Sequence, residues 1–258
     1  MRTIPAEYIQ PCERKGTITE VPYENKQFLL YTPAQKAEHI LYLIHGGGGN
    51  ERTFLQPAFV NMIDHMIEKS DMNPLYIVTP CFYDAGEKDK SPSSSGKAVL
   101  KFQKELRDQV IPLAEKEIGH KFRRAERALS GFSMGGVTTW YAFLRSLDLF
   151  YWFLPLSGDC WALGEKGGGE KPEETAKAIA DAVIRQGNPD YRLHAVTGSA
   201  DIAFPNLDAQ MQAMKAYPDV FGAKVQYDVL EGGIHDYETM YRYLFNVLPA
   251  CWHTEKKD

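Results

Sequence analysis

The residues with the clearest capacity for chemistry are Gly131-Phe132-Ser133-Met134-Gly135, a G-x-S-x-G pentapeptide between a predicted strand and a predicted helix. That setting reverses the chain sharply at the serine. A side chain two positions before or after it would collide with the neighbouring strand or helix, hence the glycines. Ser133 is thereby expected to stand clear as a nucleophile, provided a base takes its proton and a third group orients that base. In such an arrangement the order along the chain is Ser, then Asp or Glu, then His. Three histidines follow Ser133. His194 falls inside the predicted strand Tyr191 to Thr197, and His253 in a polar, Lys-rich tail. His235, after Gly232-Gly233-Ile234, lies between the last predicted strand and the last helix, from where a base can reach back to Ser133. Asp201, closing Val196-Thr197-Gly198-Ser199-Ala200-Asp201, is the first choice of acid. Asp208, expected inside the next helix, and Asp159, after the preceding aromatic strand, are the alternatives, while Asp236 is too close to His235 to hold its ring.

Acyl transfer also needs two N–H donors for the charge that develops on the carbonyl oxygen. One is expected from the backbone of Met134. The other is expected from the loop after the third strand, where His45-Gly46-Gly47-Gly48-Gly49 resembles HGGG-type oxyanion loops, with Gly47 as first choice. This glycine run lacks the Lys-Ser/Thr of a phosphate-binding loop, and Glu51 stands where G-x-G-x-x-G needs its third glycine. No HExxH, paired-histidine spacing or carboxylate cluster points to a metal, and no cofactor is implied.

These residues must be held by regular elements, and strand-like and helical patterns alternate along the chain. Strands are predicted over Thr17 to Tyr23, Gln27 to Tyr31, Ile40 to Ile44, Leu75 to Val78, Ala128 to Ser130, Phe150 to Leu156, Leu193 to Thr197 and Lys224 to Leu230. Helical spacing marks Ala58 to Ile67, the Val99, Phe102, Leu106, Val110 and Leu113 series, Val137 to Leu147, Glu173 to Ile184, Leu207 to Ala216 and Tyr237 to Leu248. Pro112 should kink its helix or end the first half. The order predicts an α/β fold, a mostly parallel sheet with helices on both faces, in one domain spanning residues 1–258. Cys81 to Gly96 and Gly158 to Glu170 interrupt the alternation, each after a predicted strand, and are candidate walls of a site.

At 44% hydrophobic and 24% charged residues, the chain reads as globular rather than disordered. A net charge of -5 without a basic stripe argues against nucleic acid. The longest apolar run, Leu149 to Leu156, falls far short of the ~18 residues that cross a bilayer, so no membrane span is expected. Cys12, Cys81, Cys160 and Cys251 are too scattered for a zinc or CxxC pattern and permit disulfides without requiring them. Met1 to Glu20 carries no apolar core of a secretory signal, which fits either a cytosolic chain or one whose leader has been removed.

The stretch Gly131-Phe132-Ser133-Met134-Gly135-Gly136-Val137-Thr138-Thr139-Trp140-Tyr141, with Pro155-Leu156-Ser157-Gly158-Asp159-Cys160-Trp161, closely resembles the feruloyl esterases of carbohydrate esterase family one, in the α/β-hydrolase superfamily. The resemblance extends through Gly198-Ser199-Ala200-Asp201 and Gly232-Gly233-Ile234-His235-Asp236. It implies an α/β-hydrolase fold in which Ser133, Asp201 and His235 act as nucleophile, acid and base, with Met134 and Gly47 as oxyanion donors and Trp161 lining the substrate site. The implied activity is release of ferulate from the arabinose side groups of xylan through an acyl-enzyme, without cofactor, by a secreted or cell-surface protein. Rival readings are an acetylxylan esterase, a thioesterase resembling S-formylglutathione hydrolase, and a non-catalytic carbohydrate-binding module.

Overall fold

The computed structural model describes residues 1–252, so His253 lies outside the described residues. Among the described residues, eight strands form one sheet. β1 (Thr17–Tyr23), β2 (Lys26–Thr32), β3 (His39–Ile44), β4 (Leu75–Thr79), β5 (Arg127–Phe132), β6 (Trp152–Leu156), β7 (Arg192–Gly198) and β8 (Val225–Leu230) lie in the spatial order β1-β2-β4-β3-β5-β6-β7-β8. β2 runs antiparallel to both its neighbours, β1 and β4, and all other pairings are parallel. The helices are α1 (Pro57–Glu68), α2 (Pro92–Glu105), α3 (Ile111–Ile118), α4 (Met134–Arg145), the single turn α5 (Gly167–Glu170), α6 (Pro172–Arg185), α7 (Phe204–Met214) and α8 (Tyr237–Val247).

The continuous apolar run of β3 is explained by cover on both faces: Ile40 through Ile44 are all 0% exposed. Ile40, Tyr42 and Ile44 face one cluster, which takes in Val99 and Phe102 of α2, Trp140 and Phe143 of α4, Ile179 of α6 and Leu207 of α7. Leu41 and Leu43 face the other, with Phe59 and Ile63 of α1 and Met240 and Leu244 of α8. Each such side chain contributes roughly 1.5–3 kcal/mol by leaving water. The consequence for function is topological. After β3 the chain turns to the α1 face, and after the adjacent β5 it turns to the α4 face, so a crevice opens beyond the carboxyl ends of these two strands, where open α/β sheets take their ligands.

Two details depart from or refine the sequence reading. A π turn, Leu106–Val110, separates α2 from α3, and Pro112 sits in the first turn of α3, where its missing N–H costs little. Within the Gly158 to Glu170 stretch, which interrupts the predicted alternation, the Gly167-Gly168-Gly169 run forms the helical turn α5 packed against α7, where a Cβ on Gly169 would come within 2.7 Å of the Asn206 Cα. All four cysteines are free thiols. No helix among the described residues is long and apolar enough to cross a membrane.

Candidate active site

The centre of the site is set by backbone packing. Ser133 links β5 to α4 at φ 57° and ψ -116°, a left-handed conformation that a non-glycine residue holds at roughly 1–3 kcal/mol. Closure around it is tight. A Cβ on Gly131 would lie 2.4 Å from the Gly135 carbonyl group, and one on Gly135 would lie 2.0 Å from the Ile44 oxygen. Ser133 N–H donates to the Leu156 carbonyl of β6 at 2.9 Å, which fixes the turn against the neighbouring strand.

The side chains of Ser133, His235 and Asp201 meet although they come from three separate loops. His235 Nε2 is 2.9 Å from Ser133 Oγ, and His235 Nδ1 is 2.7 Å from Asp201 Oδ1. With Asp201 ionised, Nδ1–H donates to the carboxylate and Nε2 accepts the serine proton. Asp201 also accepts the Ala203 N–H at 2.7 Å, its side chain is 0% exposed, and its Oδ2 is buried with no partner among the described residues. A buried carboxylate so placed is best served by a cation, which His235 becomes on taking the proton. The His235 ring lies over Phe132, with centroids 4.6 Å apart.

The alternatives have other partners. His194 pairs with Asp228 across β7 and β8 at 2.7 Å. Asp208 lies within α7, and Asp236 caps α8 by accepting the Thr239 N–H at 2.8 Å. Asp159 is buried, which raises its pKa, and it accepts the Trp161 Nε1–H at 3.1 Å and the Gly168 N–H at 2.9 Å. Asp159 therefore anchors the loop that carries Trp161 and does not touch His235.

The oxyanion loop has a telling distribution of donors. Gly46 N–H donates to the Tyr237 hydroxyl at 3.3 Å, Gly48 N–H to the Tyr83 hydroxyl at 3.1 Å, and Gly49 N–H to the Gly46 carbonyl at 3.1 Å. Gly47 N–H alone in this run has no acceptor among the described residues, and neither does the Met134 N–H at the start of α4. These two donors are free for a developing oxyanion, and the Met134 one sits at the positive end of a helix. His45 braces the loop. It is buried, its ring stacks on Phe82 at 4.3 Å, and Nδ1 lies 2.7 Å from the Gly46 carbonyl. Burial lowers its pKa to about 4, so the ring is neutral and Nδ1–H donates.

Trp161 is half-buried and lines an apolar cleft of about 110 Å³ together with Ser133, Met134, Val137, Ile202 and His235. A second, polar cleft of about 390 Å³ lies along Lys26, Gly49, Glu51, Tyr83, Asp84 and Lys90, so the Cys81 to Gly96 stretch lines one depression and the Gly158 to Glu170 stretch the other. Tyr83 and Tyr237, which hold the glycine loop, were not singled out by the sequence reading. Nothing in their local patterns marks them, because each is recognised only by its reach to a distant backbone N–H.

A serine hydroxyl joined to an imidazole and a buried carboxylate, at the carboxyl ends of a mostly parallel sheet, defines an α/β-hydrolase. The chain belongs to the Esterase family, whose model, described as "Putative esterase", matches residues 23–253. It is 32% identical over 98% of its length to endo-1,4-beta-xylanase Y of Acetivibrio thermocellus. It is 30% identical over 81% of its length to an endo-1,4-beta-xylanase/feruloyl esterase of Xylanibacter ruminicola. The chain spans about a quarter of the length of these curated relatives, 24% of the first and 26% of the second. Among solved structures it is similar to a mutant of the feruloyl esterase module from Clostridium thermocellum complexed with sinapinate, with a TM-score of 0.84 and 32% identity over 98% of this chain and 93% of that one.

Proposed function

We propose that this chain is a serine esterase that releases hydroxycinnamates, chiefly ferulate, from the arabinose side groups of xylan. Ser133 is the nucleophile, His235 the general base and Asp201 the acid that orients it. Ser133 Oγ attacks the ester carbonyl as His235 Nε2 takes its proton, and the resulting oxyanion accepts hydrogen bonds from the Met134 and Gly47 N–H groups. Collapse expels the arabinose alcohol, which takes the proton from His235, and leaves a feruloyl-Ser133 ester. Water, deprotonated by His235, attacks that ester in the same way and frees ferulate. Each donor of this kind is worth roughly a hundred- to a thousandfold in turnover.

The substrate reading is carried by one observation, the likeness over nearly the whole chain to a feruloyl esterase module that holds sinapinate, itself a hydroxycinnamate. The apolar cleft beside Ser133, with Trp161 in its wall, supports an aromatic acyl group there. A polymeric substrate fits a secreted or cell-surface enzyme, and the placement of all these residues in loops at the ends of strands of one sheet supports one catalytic domain.

The test is a product assay on feruloylated arabinoxylan oligosaccharides beside methyl ferulate, acetylated xylan and an acyl thiol. Ferulate should be released fastest. Faster turnover of the acetate ester or the thioester would reassign the substrate, and no acyl burst and no turnover with p-nitrophenyl acetate, alongside xylan binding, would replace the enzyme with a binding module.

A further inference from the structure

On the α1 face, Cys12 from the N-terminal segment meets His65 and Glu68, which stand three residues apart on α1 and so share one side of the helix. One potential ligand atom from each of the three lies within 4.8 Å of the others. The immediate surroundings select for a cation. His65 Nε2 lies 2.9 Å from the Gln10 carbonyl, so Nε2–H donates there and the lone pair is left on Nδ1, which is buried and has no partner among the described residues. Ligating histidines are commonly fixed in this way, with one nitrogen on a backbone carbonyl and the other open. Glu68 has no ion pair or hydrogen bond among the described residues, and the buried Cys12 thiol has only a 3.3 Å contact to the Arg14 carbonyl.

We propose that Cys12, His65 and Glu68 form a divalent metal site of the zinc type, separate from the serine centre, that clips the N-terminal segment to α1. One thiolate, one imidazole and one carboxylate are the mixed donor set that zinc accepts, with water in the fourth tetrahedral position. Zinc bonds of about 2.0–2.3 Å put tetrahedral ligands roughly 3.3–3.7 Å apart, so side-chain rotations that draw the three atoms together by up to about 1.5 Å close the set. On binding, the Cys12 S–H bond breaks, its proton passes to solvent and a sulfur–metal bond forms. The thiolate and carboxylate then balance the two charges of the ion. The segment is already held nearby, where buried Asp64 accepts the Gly16 N–H at 2.9 Å and the Tyr31 hydroxyl at 2.6 Å. Sequence spacing alone hides the site because Cys12 is far along the chain from the other two.

The test is calorimetric titration of the metal-free, reduced full chain with zinc chloride, and thermal unfolding with and without the ion. One equivalent should bind, and at about a hundredfold excess over Kd the melting temperature should rise by roughly 5–10 °C. Cobalt(II) should give a thiolate-to-metal charge-transfer band that Cys12→Ser abolishes. Glu68→Gln, at a half-exposed position whose loss leaves the fold intact, should weaken binding at least tenfold, with turnover of p-nitrophenyl acetate unchanged. Absence of binding, or binding that both variants leave at full strength, would overturn the proposal.

Discussion

The pentapeptide turn that carries Ser133 and the two stretches that flank it are held in place by different means. At the turn, backbone presses on backbone. Gly131 and Gly135 leave no room for a single carbon, and the serine is locked at positive φ by a hydrogen bond from its own N–H to β6. In the flanking stretches, side chains do the holding, some across the fold and some within one loop: Tyr83 to Gly48 and Ser95, Asp159 to Trp161 and Gly168, Tyr141 to the Trp161 carbonyl. The turn admits very few residues and offers one geometry, which suits a bond-making step common to all esters. The flanks admit many solutions, which suits the part of the molecule that tells one ester from another.

The most severe way to break this contrast is Ser133→Ala. If the turn serves every substrate alike, turnover of feruloyl and acetyl esters should both fall by about a million-fold in kcat, measured by ferulate release and by p-nitrophenyl acetate hydrolysis. Activity surviving on one ester class alone would move the nucleophile elsewhere. Asp201→Asn should come next, at roughly ten-thousand-fold, again without regard to the acyl group. The substituted amide can present an N–H to His235 and hold the wrong tautomer at Nε2. A loss confined to KM would show that Asp201 acts on binding and not on the base.

The same contrast governs how much of the fold and site the amino-acid sequence carries on its own. The nucleophile turn, the glycine loop and the positions of Asp201 and His235 were legible because each requirement is local: a glycine at a fixed offset, an acid or a base directly after a strand. The parallel sheet was legible for a similar reason, since strands covered on both faces read as unbroken apolar runs, as in β3. The roles of Tyr83, Tyr237 and Asp159 were not. Their partners lie far away in sequence or, for Asp159, depend on the course of a loop with no periodicity. Asp159 could be named only as a possible third member for the histidine, and only the folded chain shows it turned to Trp161 and α5. The helical turn α5 was not legible either, because its three glycines carry no periodicity, and their lack of side chains reflects close packing on α7.

Trp161→Ala sharpens the comparison because it should split the two ester classes. Removing an indole from an apolar cleft forfeits about 1.5–3 kcal/mol of burial, which corresponds to roughly ten- to a hundredfold in kcat/KM for feruloyl esters. Acetyl esters, too short to reach the ring, should change by less than about twofold. Equal losses on both substrates would mean that the tryptophan supports the serine turn and has no part in choosing the acyl group.

The smallest expected effect comes from Asp159→Asn, and its pH dependence gives it a distinctive signature. Asparagine keeps one acceptor, but its amide faces either the indole N–H or the Gly168 N–H as a second donor, so one of the two bonds is lost, at about 1–3 kcal/mol. Trp161 should then be less well placed, with a few-fold rise in KM for feruloyl esters and little change for acetyl esters. Burial raises the Asp159 pKa above its ordinary 3.8, so the native chain holds this proton more tightly than the unfolded chain does. That contribution to stability is fully present at pH below 3.8 and is lost as the pH rises through the native titration. The asparagine has no such titration. In urea unfolding, the stability advantage of the wild type over Asp159→Asn should therefore shrink from acid towards neutral pH. An advantage that instead grew with pH would mean that the two N–H donors outweigh burial at this carboxylate, and that the loop is held by its charge.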